Sequence, residues 1–295
     1  MRAILQALFV TVLWSTSWVL IKIGLRDIPA LPFAGLRYTL AFLCLLPFTI
    51  RPRLLVQLRS LSISEWARLT ALGLLFYAVT QGAQFLSLFY LPAVTTSLLL
   101  SFTTILVGLL GISTLGERPT PVQWGGTGLY LMGVLVFFYP VSLPGAELTG
   151  LTIAIVGVLA NALSAILGRH LNRNRQLEPI AVTIVSMGIG ALVLLISGVA
   201  VQGLPRLTLM NWVIIMWLAV VNSAFAFTLW NRTLRTLSAM ESSIINNTML
   251  FQIALLAWVF LAEGLIGRQV IGMILATLGT FAVQIRKRQS GSPST

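Results

Sequence analysis

The chain has 295 residues, of which 57% are hydrophobic and only 9% are charged. Soluble globular domains carry about 25% charged residues because their surfaces face water, so this composition excludes an ordinary soluble domain. The formal net charge is +12, but the basic residues lie in short gaps between apolar runs and not on one folded face. Nucleic acid is therefore not an expected partner.

The inventory of reactive side chains is poor. Cys44 is the single cysteine and lies in an apolar run, and the single histidine, His170, lies in a basic loop. An intrachain disulfide, a cysteine metal pair and a Ser-His-Asp triad are therefore all excluded. We expect a protein that is not an enzyme and that holds no metal and no cofactor.

Ten apolar runs follow one another along the chain, each near the roughly 20 residues that a helix needs to cross a bilayer. They cover residues 3–23, 32–50, 66–86, 93–115, 122–138, 148–167, 180–201, 212–230, 239–262 and 267–285. The predicted fold class is an all-α polytopic membrane protein with ten transmembrane helices. Ser62 with Glu65, and Ser238 with Glu241, fit capping boxes, and Thr120 fits an N-cap before its proline.

The placement of basic residues predicts the orientation of the spans, because Lys and Arg in short loops stay on the cytoplasmic side. Most of the 19 basic residues fall on the side that holds both termini. The exceptions are Lys22, Arg26, Arg37, Arg206 and Arg268. Both termini are therefore predicted to be cytoplasmic, in a multi-pass protein of the cell (inner) membrane.

The chain contains an internal repeat. A shift of 146 residues aligns Trp66 with Trp212, Glu117 with Glu263, Gln123 with Gln269, Gly126 with Gly272, and Gly133 with Gly279. A shift of 147 aligns the earlier runs, including Pro32 with Pro179. We predict two five-helix halves, residues 1–140 and 148–288, and a disordered polar tail at 289–295.

Halves with an odd number of spans must enter the membrane from opposite sides, which makes them inverted repeats. Two inverted halves can close over a central site on one side while they open on the other, as alternating access requires. A secondary transporter is therefore the leading class.

Several short motifs follow one another along the first half of the chain, and some of them recur in the second half. They are LWSTSW at 13–18, LRY at 36–38, LGER at 115–118, QWGG at 123–126 and LMG at 131–133, with counterparts at Glu263, Gln269 and Gly272. In these segments the chain resembles the EamA-type exporters of the drug/metabolite transporter superfamily over nearly its whole length. The resemblance implies ten helices and the export of amino acids, related metabolites or drugs. One departure is Asn161, which stands in the second half where Trp14 stands in the first.

Polar and aromatic side chains in the apolar runs are the candidates for a solute pathway, because such groups are costly in lipid unless they face protein or water. The candidates that we predict to line a central substrate site are Trp14, Ser17, Tyr77, Gln81, Ser101, Asn161, Asn222, Phe225 and Asn247. The alternative interpretation is that the serines and amides only bond between packed helices and that the aromatics pack or mark interfaces.

Glu117 and Glu263 lie at helix ends, which favours a gating or structural role over solute binding. No Asp or Glu falls near the middle of a run, so a buried carboxylate proton relay is not evident. The site should then be close to neutral and suit zwitterionic or uncharged solutes, unless Lys22 or Arg37 reaches it.

The sequence thus predicts an exporter of amino acids or similar small neutral or zwitterionic metabolites, with a small organic solute and membrane lipid as its partners. A passive channel or sensor on the same fold is the alternative, and a membrane-embedded enzyme is less favoured. Coupling to a proton or a counter-solute, the solute itself and the oligomeric state are left open.

Overall fold

A computed structural model describes residues 2–103, 105–107, 110, 120–139, 145–173, 177–233, 245–246 and 248–284. All regular structure in these ranges is helical. The helices are α1 (Arg2–Gly24), α2 (Ala30–Leu45), α3 (Pro52–Arg59), α4 (Ile63–Leu72), α5 (Gln81–Tyr90), α6 (Ala93–Ser101), α7 (Pro121–Phe138), α8 (Gly145–Arg173), α9 (Pro179–Gln202), α10 (Leu209–Ala219), α11 (Ala226–Thr233), α12 (Met249–Leu261) and α13 (Gly267–Gln284).

In these described ranges, six helical stretches are long and apolar enough to cross a membrane. They are Ala3–Gly24, Ala30–Ile50, Ile63–Tyr90, Pro121–Phe138, Gly145–Gly168 and Ile180–Gln202. Shorter apolar helices occur at Leu209–Phe225 and Met249–Leu261. These stretches confirm the prediction of an all-helical polytopic membrane protein.

Two helix starts follow the sequence rules. Ser62 accepts from the Glu65 backbone N–H, while the Glu65 carboxylate accepts from the Ser62 backbone N–H, so the predicted capping box is confirmed. Thr120 and Gln123 form a second box around the proline that opens α7. The predicted box at Ser238, the end of the fourth run and the start of the ninth lie outside the described residues.

Two long helices contain a π-helical turn, in which the backbone bonds span five residues instead of four. The first π segment, Gly73–Thr80, joins α4 to α5 without a break, and the second π segment, Val220–Phe225, joins α10 to α11. Hydroxyl groups follow the wider turn, because Thr80 Oγ1 donates to Leu75 O and Ser223 Oγ donates to Leu218 O, five residues back in each case. These turns re-aim the side chains that follow them.

Close helix packing depends on residues without side chains. Helices α7 and α13 pack along their lengths, and a Cβ added to Gly133 would lie 2.6 Å from the Gly272 carbonyl oxygen. A Cβ added to Gly279 would lie 2.6 Å from the carbonyl oxygen of Gly126. Because these neighbours are backbone atoms, only glycine permits this separation.

Gly133→Val should therefore lower the melting temperature of the purified protein in detergent, with a destabilisation of about 1–3 kcal/mol from overpacking. Gly128→Val on the same helix is the matched control, because a Cβ there would meet nothing within 4 Å. Equal melting temperatures for the two variants would contradict this account of the interface.

Candidate functional site

Trp14 and Asn222, both predicted from sequence, meet where α1 packs against the second π segment. The Trp14 indole Nε1 donates to the Asn222 carbonyl oxygen at 3.1 Å. In the other direction the Asn222 amide Nδ2 donates to the Leu13 carbonyl and, at 3.3 Å, to Thr16 Oγ1. Asn222 is fully buried, so this pair ties two distant parts of the chain together inside the protein.

Aromatic rings surround the indole. The ring centroids of Phe227 and Trp230, on α11, lie 5.2 and 5.1 Å from that of Trp14. Tilted contacts at this separation are favourable for aromatic pairs. Trp14 is therefore held both by its hydrogen bond and by ring packing.

Arg37 extends the polar contacts from Asn222 to α2. Its Nε donates at 3.1 Å to the hydroxyl of Ser223, the residue after Asn222, and its side chain is only 4% exposed. The next residue, Tyr38, donates its hydroxyl to Gln81 Oε1 at 2.6 Å. We call Trp14, Arg37, Tyr38, Gln81, Asn222 and Ser223 the central polar cluster.

The position of Arg37 bears on one expectation from the sequence. Charge placement assigns Arg37 to the less positive side, and the sequence predicts a site close to neutral unless Lys22 or Arg37 reaches it. Helix α2 begins at Ala30, so Arg37 lies two turns inside the helix. One charge within an apolar run changes the mean hydropathy of that run only a little, so hydropathy does not reveal this position. The structure therefore places a buried positive charge in the centre of the protein.

A second set of polar contacts joins α1 to α12 through Gln252. Ser15 Oγ donates to Gln252 Oε1 at 2.9 Å, and Gln252 Nε2 donates to Thr11 Oγ1 at 3.2 Å and Thr248 Oγ1 at 3.0 Å. Every partner is on α1 or at the start of α12. Thr11 and Ser15 thus lie on the face of α1 that packs against α12.

Lys22 and Glu263 meet at one end of α1. Lys22 lies eight residues after Trp14, which is about 12 Å along the helix axis. Its Nζ donates to the carbonyl oxygens of Leu88 and Leu91, each at 2.6 Å. Glu263, between α12 and α13, accepts from the Ala93 backbone N–H at 2.8 Å.

These two side chains line a cavity of about 180 Å³. Burial raises the pKa of the Glu263 carboxyl, while the Ala93 N–H and the Lys22 ammonium oppose that shift. A neighbouring cavity of about 470 Å³ shares Leu25, Arg26 and Phe89 with it, so both open at the same end of the bundle.

The remaining predicted site residues lie in different surroundings. Tyr77 is buried, with its ring centroid 5.6 Å from that of Tyr38, so it borders the cluster. The hydroxyl of Ser17 is bonded within its own helix to Trp14 O at 2.6 Å. Phe225 is 50% exposed and makes no polar contact with the cluster.

Ser101 and Asn161 make contacts away from the cluster. Ser101 Oγ lies 3.2 Å from the Tyr130 hydroxyl, and Asn161 Nδ2 donates to Thr103 Oγ1 at 3.3 Å. Asn247 and Glu117 lie outside the described residues. Within the described ranges, no group of three or more His, Cys, Asp and Glu side chains could hold a metal ion.

The model of the EamA-like transporter family matches the chain twice, over residues 1–139 and 148–284. The chain belongs to this family. EamA-like proteins are transporters, so the match points to membrane transport and not to an enzyme family.

Two curated relatives of this EamA-like protein span nearly its whole length. The "Probable amino-acid metabolite efflux pump" of Escherichia coli (strain K12) is 27% identical, over 93% of this chain and 92% of the relative. The "Uncharacterized transporter YoaV" of Bacillus subtilis (strain 168) is 24% identical, over 95% and 96%. A crystal structure of another protein, at 17% identity, superposes with a TM-score of 0.70 over 96% of this chain and 98% of that one, which shows the fold alone.

Sequence reasoning missed several residues of these networks, among them Tyr38, Ser223 and Gln252. Gln252 carried the same signal as Gln81, an amide inside an apolar run, and could have been found. Ser223 follows Asn222 directly, and on a regular helix consecutive residues face different ways, which hid its contact with Arg37. Tyr38 gave no signal beyond its membership of the LRY motif.

The raised pKa of Glu263 predicts a pH-dependent contribution to stability in this EamA-like protein. A carboxyl whose native pKa is raised stabilises the fold most below its ordinary pKa, and this contribution is lost as the pH rises through the raised value. Glu263→Gln keeps an oxygen for the Ala93 N–H but cannot titrate. The melting temperature of the wild type minus that of Glu263→Gln should therefore fall as the pH rises above the ordinary pKa of a glutamate.

Thermal unfolding of both proteins in one detergent, across a pH series, measures this difference. A difference that is constant over the series, or that grows with pH, would contradict the burial of the Glu263 carboxyl.

Proposed function

We propose that this EamA-like protein is a secondary transporter that exports amino acids or similar small neutral or zwitterionic metabolites by alternating access. The observation that carries this proposal is the central polar cluster. Trp14, Arg37, Tyr38 and Gln81 come from the first predicted half, and Asn222 and Ser223 come from the second. A transported solute needs polar groups at the interface between the moving halves, and polar groups inside a membrane protein mark such pathways.

We further propose ten spans in two inverted halves. The 146-residue shift moves the second π segment onto residues 74–79, inside the first π segment. The same shift aligns Gly133 with Gly279 and Gly126 with Gly272. The contact between Gly133 and Gly272 therefore corresponds to the contact between Gly279 and Gly126. Two different contacts that exchange under one shift are what a pseudo-twofold axis between α7 and α13 would produce.

The membrane placement is part of the proposal. The excess of basic residues on the side of the termini supports cytoplasmic N- and C-termini, in the inner membrane of a cell. The printed name of the Escherichia coli relative supports efflux of amino-acid metabolites, and the solute of this chain is proposed by analogy with it.

Glu263 is proposed to act in gating. Its bond to the Ala93 N–H joins the second half to the first at the Lys22 end of the protein. Opening at that end must break this bond, because the two groups belong to different halves. Glu117, the repeat equivalent of Glu263, has the same proposed role from its sequence position alone.

Counterflow tests the proposal. A resistance screen of overexpressing cells against amino acids and their analogues selects the solute, and purified protein in liposomes is then preloaded with it. Preloading should accelerate uptake of the labelled solute, because a carrier returns faster when loaded. Labelled uptake at the same rate with and without preloading, together with single-channel currents, would support the passive channel and overturn the carrier.

In the same assay Asn222→Leu should reduce initial counterflow by about tenfold or more, because it removes the cross-half bonds to Leu13 and Thr16. Insertion should persist, since Leu favours the membrane. Ser197→Leu is the control, because that exposed hydroxyl bonds only within its own helix. Equal rates for the two variants would remove Asn222 from the site.

A further inference from the structure

Arg37 is a buried cation whose donors are largely unused. A guanidinium carries five N–H donors and stays charged in proteins. Among the described residues only the Nε–H has a hydrogen-bond partner, the Ser223 hydroxyl at 3.1 Å. No acidic side chain forms an ion pair with it in the part of the chain that the structure describes, and the residue is only 4% exposed.

A charge in this position is costly unless an anion faces it. Isolated charges inside a protein or membrane are disfavoured, and the rings of Tyr38 and Phe85, with centroids 5.0 and 5.9 Å from the guanidinium carbon, compensate only a part of this cost. The Nη donors, which have no partner in the part of the chain that the structure describes, suit a bound anion. A carboxylate matches the planar guanidinium best, because it accepts two parallel hydrogen bonds.

A buried acceptor without a partner belongs to the residue that precedes Ser223. Asn222 Oδ1 has no hydrogen bond, although it is buried. The orientation of this amide is fixed, because its Nδ2 faces the Leu13 carbonyl, which can only accept. Ser223, the partner of Arg37, is the next residue, so an unused acceptor and unused cationic donors come from neighbouring positions of the second π segment.

We propose that Arg37 binds the carboxylate of the transported solute and that Asn222 Oδ1 accepts from its ammonium group. The solute is then recognised as a zwitterion through its two charged ends, and a carboxylate is required for transport. This inference rests on the proposed function. In it, Arg37 determines the selectivity for solutes that carry a carboxylate over analogues whose carboxylate is replaced by an uncharged group.

A purely structural role for Arg37 makes a different prediction. If its charge served only to hold α2 against the second π segment, its removal would weaken stability and slow all solutes alike. If it binds the carboxylate, its removal must change the ratio between an acid and its amide. The ratio is therefore the decisive readout.

The experiment measures inhibition of counterflow by L-leucine and by L-leucinamide, which differ only at the carboxylate, against the labelled amino acid chosen by the screen. The wild type should bind the acid more tightly than the amide by about tenfold to a hundredfold, as for loss of one charge-assisted bond. Arg37→Gln should bring this ratio close to one. Arg37→Lys should keep part of it, and Arg206→Gln, at an exposed loop position, should keep all of it.

Thermal stabilisation of the detergent-solubilised proteins by the same two compounds gives a second readout that needs no transport. Wild-type counterflow without a preference for the acid, or a full preference in Arg37→Gln, would overturn the role of Arg37 and leave the carrier intact. Absence of counterflow for any amino acid would overturn the proposed function itself. If Arg37→Gln does not fold, the wild-type ratio and Arg37→Lys still decide the question.

Discussion

The hydrogen bonds of Asn222 are the interaction on which the central arrangement depends. In the apolar interior no water satisfies a polar group, so each one must find its partner within the protein. The Asn222 amide finds its partners on α1, and its backbone carbonyl receives the Trp14 indole, so the bonds run in both directions between the halves. The side chain of the next residue, Ser223, carries the connection on to Arg37.

The same network leaves two polar groups unsatisfied, and this combination suits a carrier. If every polar group of the cluster had a hydrogen-bond partner within the protein, these bonds would hold the halves together. If the cluster had no polar groups, a solute would find no hydrogen-bonding partners there. Here Trp14 and Ser223 hold the halves in register, and the Nη donors of Arg37 and Oδ1 of Asn222 stay available. A solute that binds there, as we propose, would change the energy of the interface and so bias a conformational equilibrium.

The sequence predicts the helices well and the site only in part. Hydropathy locates the long helices, and the motif around Ser62 and Glu65 locates a cap, because both signals are local. The pairing of Trp14 with Asn222 could be anticipated only as a shared site, since their contact joins residues 208 apart. Charge counting could not show that Arg37 is buried, because it records that a charge exists and not whether another helix covers it. The π turns and the short amphipathic helix α3 left no periodic signal that we recognised.

The central claim is that the two halves must part at the Lys22 end for transport. Cys44 is the only cysteine, so Ala93→Cys with Glu263→Cys in a Cys44→Ala background allows a single cross-link between the halves at the bond that Glu263 makes. Counterflow of the same preparation is then measured after oxidation and again after reduction, beside the Cys44→Ala protein. Our account predicts that the cross-link stops counterflow and that reduction restores it. If the fully cross-linked protein showed the same counterflow rate as the protein after the cross-link is reduced, the account would be contradicted.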